Sequence, residues 1–382
     1  MTMETSTEIW AGHGARIASP SIQPSPGPSG LGAVEARWVP AADWPALEAD
    51  WTRFAREASP NVFLSPAFAL AARAVDPAPG LGGLLVTRDG AWIGFVAGRL
   101  SMRDAVFSLW THPYAPYGAP LVRPGEEAAV IAALFVSLSD RRVAALDWPM
   151  LDEGPLAVAL EVALEGRRVE VLDSHRRAVL TGAPPPLSKD QRRLFRRLGE
   201  AGMLRFASTV DGDDPAGAMA GFLALEAQGW KGRGGTALAA DPTTRRFFEE
   251  AVGALARDGQ ARIDTLLLDG RPVAAGIVLM AGSRAWYWKT AYDEAFARYS
   301  PGLLLSHAIG TAMAADPAVD LVDSCAVAGH PMIDRIWSER MTVTSRFIAV
   351  AEGAPGWRYR AALGLRRGLA GGKVLAKRLL RR

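Results

Sequence analysis

Three side chains of this chain have the types needed to move a proton near neutral pH. His330 lies in the loop Ala328-Gly329-His330-Pro331, Asp323 ends an apolar strand-like run just before it, and Tyr292 ends an earlier one. Imidazole is the side chain whose ordinary pKa suits a general base at neutrality. A carboxylate can orient it or act directly, and a phenol can donate a proton or a hydrogen bond. Each has a structural rival: a loop histidine, a capping aspartate, or a core tyrosine beside Trp286-Tyr287-Trp288.

A second constellation suits anions. Tyr299, Ser300, Gly302 and Leu303 lie where a polar segment meets the apolar run Leu303 to Met313, which has helical spacing. A helix beginning there presents unpaired amides and the positive end of its dipole, and Gly302 lets a ligand approach the backbone. The competing assignment is an ordinary turn with proline at the first helical position. Trp230 and Lys231 stand before Gly-Arg-Gly-Gly at a predicted helix end, and Lys289 follows Trp288 in a strand. All three are candidates for substrate contact. GRGG by itself lacks the preceding strand and the Lys-Ser/Thr ending of a phosphate loop.

The elements that must position these residues run from Ala261 to Met313. Asp269-Gly270 marks a hairpin, because its turn type requires positive φ at both central residues. Strands are expected over Ile263 to Leu268, Val273 to Met280 and Ala285 to Tyr292, followed by a helix from Leu303. The same order occurs 180 positions earlier, where Leu84 to Trp110 falls on Asp264 to Thr290 without a gap and Asp89-Gly90 falls on Asp269-Gly270. Pro124-Gly125 then matches Pro301-Gly302, and Ala145-Leu146-Asp147 matches Leu321-Val322-Asp323. A fixed-period repeat of this kind implies two similar units.

The flanks fit that division. Residues 1–32 are rich in Ser, Pro and Gly and are expected to be a disordered leader. One unit is expected over 33–181 and the other over 187–350, with Thr181 to Pro186 as an extended spacer. Asp43 is expected to cap a helix over Trp44 to Glu57, and Ser65 a helix from Pro66. Ser188 is expected to cap SKDQRRLFRRLGEAG, with its cations on a solvated face. The loop His112 to Pro120 is stiff and aromatic.

Composition excludes several classes. One cysteine, Cys325, in 382 residues rules out an internal disulfide and a cysteine-based zinc site, as in a reducing cytoplasm. No signal peptide or transmembrane run is expected. The net charge is +3, yet nine of the 43 Lys and Arg lie after Glu352 with none of the 40 acids. Residues 1–352 therefore carry −6, and the basic balance belongs to the tail, 351–382. DNA is not an expected partner of such a body. The tail, with leucines spaced among its cations, is expected to reach an anionic membrane surface at the cytoplasmic face or to act as a solubilising extension.

Taken in order, SKDQRRLFRRLGEAG, FLALEAQGWKGRGG, DGRPVAAGIVL, AYDEAFARYSPGLLL and LVDSCA with its downstream Ile336-Trp337 resemble the GNAT acyltransferase superfamily. Within it, the pattern is similar to bacterial envelope- and polysaccharide-associated members related to Fem-type peptidyl transferases. The resemblance covers about Leu187 to Val350. It implies an α/β (α+β) fold of two tandem GNAT-like domains, each a mixed, mostly antiparallel sheet flanked by helices. It also implies acyl transfer from acetyl-CoA or another acyl-CoA, without a metal, to an amine or hydroxyl of a small molecule, sugar or envelope precursor. Two alternatives accompany it: a Fem-like transferase using aminoacyl-tRNA, and a catalytically silent binding protein of the same fold. The chain departs from the usual phosphate loop, reading Ala297-Arg298-Tyr299-Ser300-Pro301-Gly302. Ser324-Cys325 stands after Asp323, where related chains often have glycine.

Overall fold

Asp89 and Gly90 have φ of 50° and 79°, and Asp269 and Gly270 have 49° and 79°. All four lie in the left-handed region that the tight hairpin turn requires, so the two matched turns form as the residues predict. They belong to a computed structural model that describes residues 32–76 and 79–379, with side chains of the last helix as far as Gly368. The expected leader lies outside the described residues apart from Gly32.

The first run of elements comprises β1 (Val34–Pro40), α1 (Glu48–Glu57), α2 (Pro66–Ala72), β2 (Leu81–Arg88), β3 (Ala91–Ser101), β4 (Val106–Leu109), β5 (Leu121–Val122), α3 (Glu127–Asp140), β6 (Ala145–Asp152), α4 (Pro155–Ala163) and β7 (Arg167–Leu180). The second comprises α5 (Lys189–Gly199), β8 (Leu204–Ser208), α6 (Pro215–Gln228), α7 (Trp230–Arg233), α8 (Pro242–Arg257), β9 (Ala261–Leu268), β10 (Arg271–Ala281), β11 (Arg284–Tyr292), α9 (Pro301–Ala315), β12 (Leu321–Asp323) and β13 (Glu339–Glu352). Helix α10 (Trp357–Leu379) follows.

Each run contributes a mixed, mostly antiparallel strand set, and the sets join in one thirteen-stranded sheet of order β1-β2-β3-β4-β6-β13-β7-β12-β11-β10-β9-β8, with β5 on β3. The two parallel pairs, β4 with β6 and β11 with β12, are spanned by α3 and α9. A parallel pair needs such a crossover, usually a helix. At the centre the last strands change places. β13 pairs with β6, β7 pairs with β12, and β7 and β13 pair with each other. Each run therefore completes the other's sheet.

The core also crosses between the runs. Phe63 meets Trp286 and Phe68 meets Phe247 edge-on, at ring-centroid distances of 5.6 and 5.4 Å. Burying a Phe of this kind contributes roughly 1.5–3 kcal/mol, so these contacts hold α2 and the turn before it, Val62–Leu64, against the second run. Ser65 caps α2 through Phe68 N–H, and Ser188 forms a full capping box with Gln191 on α5. The helix expected from Trp44 is instead a 3₁₀ segment, Ala41–Leu47, leading into α1, and Asp43 makes no cap. Pro45 lies inside that segment, and without an N–H it cannot join an α-helical ladder. The first turns of α10 dock through Tyr359, Ala362 and Leu363.

Candidate functional site

β11 and β12 pair only over Arg284–Trp286 and Leu321–Asp323. β11 then continues to Tyr292, while the segment after β12 turns away through Cys325 at φ 54°. Asp323 Oδ1 holds that turn by accepting the Cys325 N–H at 2.8 Å. The strands part, and a cavity of about 530 Å³ lies against the end of β11. Its walls are Trp288 to Tyr292, the start of α9, the loop His330 to Arg335, and the junction of α6 and α7 around Glu226 and Lys231. Opposite β10 the register passes from Tyr287 to Lys289 and skips Trp288. Such a bulge leaves one residue outside the ladder and re-aims its neighbours.

The start of α9 is bare. Ser300, at φ 53° and ψ 51°, makes no side-chain cap, and the first turn holds no acid. Pro301 has no N–H. Leu303 and Leu304 both donate back to Ser300 O, at 3.0 and 3.2 Å. The Gly302 N–H has no partner among the described residues. A Cβ at Gly302 would lie 3.3 Å from the Tyr292 ring and 3.5 Å from Met332 Sδ, so only glycine leaves this approach open. An anion placed here meets a free amide and the positive helix end. Arg298 and Arg197 lie over the ring of the adjacent Tyr299, at 4.7 and 6.0 Å, with no acid partner among the described residues, and neither lines the cavity.

The matching place in the first run is closed. Glu126 stands at the N-cap of α3 and pairs with Arg88 at 2.7 Å, and Glu127 accepts the Gly125 N–H. Two carboxylates at that helix end repel an anionic ligand. The loop 110–120 also fills the gap beside β6: Gly118 donates to Met150 O, and a Cβ on Gly118 would fall 1.8 Å from Pro149 O. That loop reaches across to the second run, where Trp288 Nε1 donates to Tyr114 O at 2.7 Å.

Eight of the ten residues singled out in the sequence line the one cavity: Trp230, Lys231, Lys289, Tyr292, Ser300, Gly302, Leu303 and His330. Tyr299 does not, because its ring is packed in the core beneath α9. Asp323 does not either. It is fully buried, and its Oδ2 accepts from Arg177 at 3.2 Å and from Arg284 at 3.1 Å. Arg284 also binds Asp152 and Tyr117 Oη. With both oxygens engaged, Asp323 is a charge junction between the runs and forms no contact with His330. The helix bearing the amides starts at Pro301 rather than Leu303, since proline at the first position loses no bond.

The His330 ring points its Nδ1 at the N–H groups of Met332 and Ile333, at 3.4 and 3.3 Å. Nδ1 therefore acts as an acceptor, which leaves the proton of the neutral ring on Nε2. In this arrangement Nε2 is a hydrogen-bond donor. The Tyr292 hydroxyl has no hydrogen-bond partner among the described residues. Trp230 is 61% exposed at the rim, and Glu294 holds α7 there by accepting Trp230 N–H and Arg233 Nη2.

Lys231 is tied to Glu226, a buried carboxylate that also accepts the Leu238 N–H. Lys289 has no acid in reach of its Nζ among the described residues; it sits over the rings of Tyr114 and Trp288, at 4.7 and 5.1 Å. Burial, reinforced by the neighbouring Lys231 charge, lowers its pKa to about 8. Glu226, Glu294 and Arg335 were missed in the sequence. Only Glu226 carried a signal, as the single acid on the otherwise apolar α6.

Residues 187–326 match the family model described as an acetyltransferase (GNAT) domain. No curated protein matches the chain in sequence. Among solved structures, a conserved protein of unknown function from Bacteroides thetaiotaomicron is similar at 11% identity, over 80% of this chain and 96% of that one, with a TM-score of 0.52. L-PGS from Bacillus licheniformis is similar at 10% identity over 80% and 93%, also at 0.52. FemX is similar at 13% identity over 79% and 95%, at 0.48. At these identities the first two show a shared fold. The family match spans the bulged strand, the bare helix end and the parting of β11 from β12, so it is residues 187–326 that match a GNAT acetyltransferase domain.

Proposed function

We propose that this chain transfers an acyl group from acetyl-CoA or another acyl-CoA to an amine held in the cavity between the end of β11 and the start of α9. The carrying observation is the bare start of α9 opening into that cavity. Gly302 N–H supplies the free amide, and Arg197 and Arg298 add positive charge outside it. A diphosphate placed at this end leaves the thioester to run inward along β11, towards Lys289 and Tyr292. Tyr292 Oη and His330 Nε2–H are donors for the carbonyl or the leaving thiolate. Trp230 and Lys231 form the acceptor side, and the acceptor class is an amino-bearing sugar or envelope precursor.

In this account residues 33–181 are a GNAT-like domain without its own donor site, and residues 187–350 are the active one. The first contributes a wall through Tyr114. The cations of α10 give a peripheral contact with an anionic membrane, each worth about 1 kcal/mol near such a surface. A donor with a phosphate chain is also consistent with the Fem-like alternative, because Arg197 and Arg298 would attract aminoacyl-tRNA as well.

Thermal unfolding with and without acetyl-CoA tests the proposal. Binding to the native state raises the melting temperature as the ligand exceeds its Kd. Stabilisation by acetyl-CoA supports the acyl-CoA reading. A shift in electrophoretic mobility with aminoacyl-tRNA, and no response to acetyl-CoA, replaces it with the alternative.

A further inference from the structure

Acyl transfer to an amine needs a base, and the two residues best suited by type do not fit. Asp323 is locked between Arg177 and Arg284, and His330 turns its acceptor nitrogen onto its own loop. Besides Arg335, whose guanidinium stays protonated, the remaining titratable groups on the cavity wall are Glu226, Lys231, Lys289, Tyr292 and Glu294. Glu226 is held by Lys231 and Leu238 N–H, and Glu294 by Trp230 N–H and Arg233. Lys289 alone of the charged side chains on β11 faces the cavity without a carboxylate partner, immediately after the bulge at Trp288.

Resting on the acyl-transfer reading above, we propose that Lys289, as the free amine, is the base that takes the proton from the acceptor ammonium. The acceptor R–NH3⁺ passes one proton to Lys289 Nζ and becomes R–NH2. Its lone pair forms the new C–N bond at the thioester carbonyl, whose π electrons move onto oxygen. Collapse of the adduct re-forms the carbonyl, breaks the C–S bond and releases the thiolate. The second proton leaves the adduct nitrogen and ends on that thiolate. Lys289 returns its own proton to solvent between turnovers.

The surroundings suit both states of this lysine. Enclosure and the Lys231 charge favour the neutral amine, while Glu226 opposes them; Cys325 also lies close. Once protonated, Nζ rests over the Tyr114 and Trp288 rings, whose faces attract a cation. Tyr114 comes from the first run, so the closed domain supplies part of the base's environment.

The test combines two readouts on the full chain. Competitive labelling of lysines with acetic anhydride across pH, read by mass spectrometry, should show Lys289 titrating near pH 8. Lys231→Met should move that midpoint upward, because it removes a repelling charge and frees Glu226. Lys289→Met and Lys289→Arg should still be stabilised by acetyl-CoA. Both should lose at least 100-fold of the thiol release seen with whichever amino sugar the wild type accepts. The arginine variant matters because it keeps the charge of an anion contact but cannot act as a base. Lys289 labelling together with the surface lysines, or an active Lys289→Arg, would overturn the proposal while leaving the acyl-CoA reading intact. A wild-type chain that ignores acetyl-CoA would overturn both.

Discussion

The indole of Trp288 donates to the Tyr114 carbonyl at 2.7 Å, across 174 positions of sequence. The bond joins the bulged strand of the open wedge to the loop that fills the closed one. Trp288→Phe keeps an aromatic ring but removes the donor, leaving a half-buried carbonyl unpaired. The expected cost is about 1–3 kcal/mol, read as a lower urea midpoint with an unchanged slope.

Asp323 should act on stability. It is the only carboxylate partner of Arg177 among the described residues and shares Arg284 with Asp152. Asp323→Ala leaves buried guanidinium charge uncompensated, at about 3–5 kcal/mol. Chemical denaturation should show that loss. A stable but inactive Asp323→Ala protein would instead return Asp323 to the reaction.

Lys289 also gives the fold a pH dependence of known sign. Its pKa in the folded chain, about 8, lies below the ordinary lysine value of 10.5. The unfolded chain therefore holds more protons between those limits, and stability rises with pH through that window. Lys289→Met should melt higher than the wild type below about pH 8. The difference should shrink towards pH 10.5. Equal melting curves across that range would show that the lysine is not held neutral.

Trp230 stands at the rim with its ring in solvent. Trp230→Ala should change stability by no more than about 0.5 kcal/mol. It should raise KM for the acceptor several-fold while leaving acetyl-CoA stabilisation unchanged. A fall in kcat with KM unaltered would place the indole nearer the reacting atoms.

Much of the frame was legible because turns and strand periods are local. The Asp-Gly turns and the 180-residue offset carry directly into β2 with β9 and β3 with β10. The exchange of β7 and β13 was not legible. Both are long strands that end their runs, and apolar alternation says that a strand pairs without saying with which neighbour. The cavity residues were found where the signal was a residue type out of place: a lysine among tryptophans, or a glycine at a helix start. The burial of Asp323 was not legible because its partners, Arg177 and Arg284, are distant in sequence and come together only through the exchanged sheet. His330 shows a similar limit, since the direction of its Nδ1 depends on the 3₁₀ turn at Ile333–Arg335.

Isothermal titration of acetyl-CoA into the wild-type chain and Gly302→Val tests the central claim, that the start of α9 receives the donor. The valine side chain would enter the space between Tyr292 and Met332 and cover the free amide. Saturable binding of one equivalent by the wild type, weakened at least 10-fold in the folded variant, is the predicted result. Wild-type binding that Gly302→Val leaves unchanged, or no binding by either protein, would contradict it.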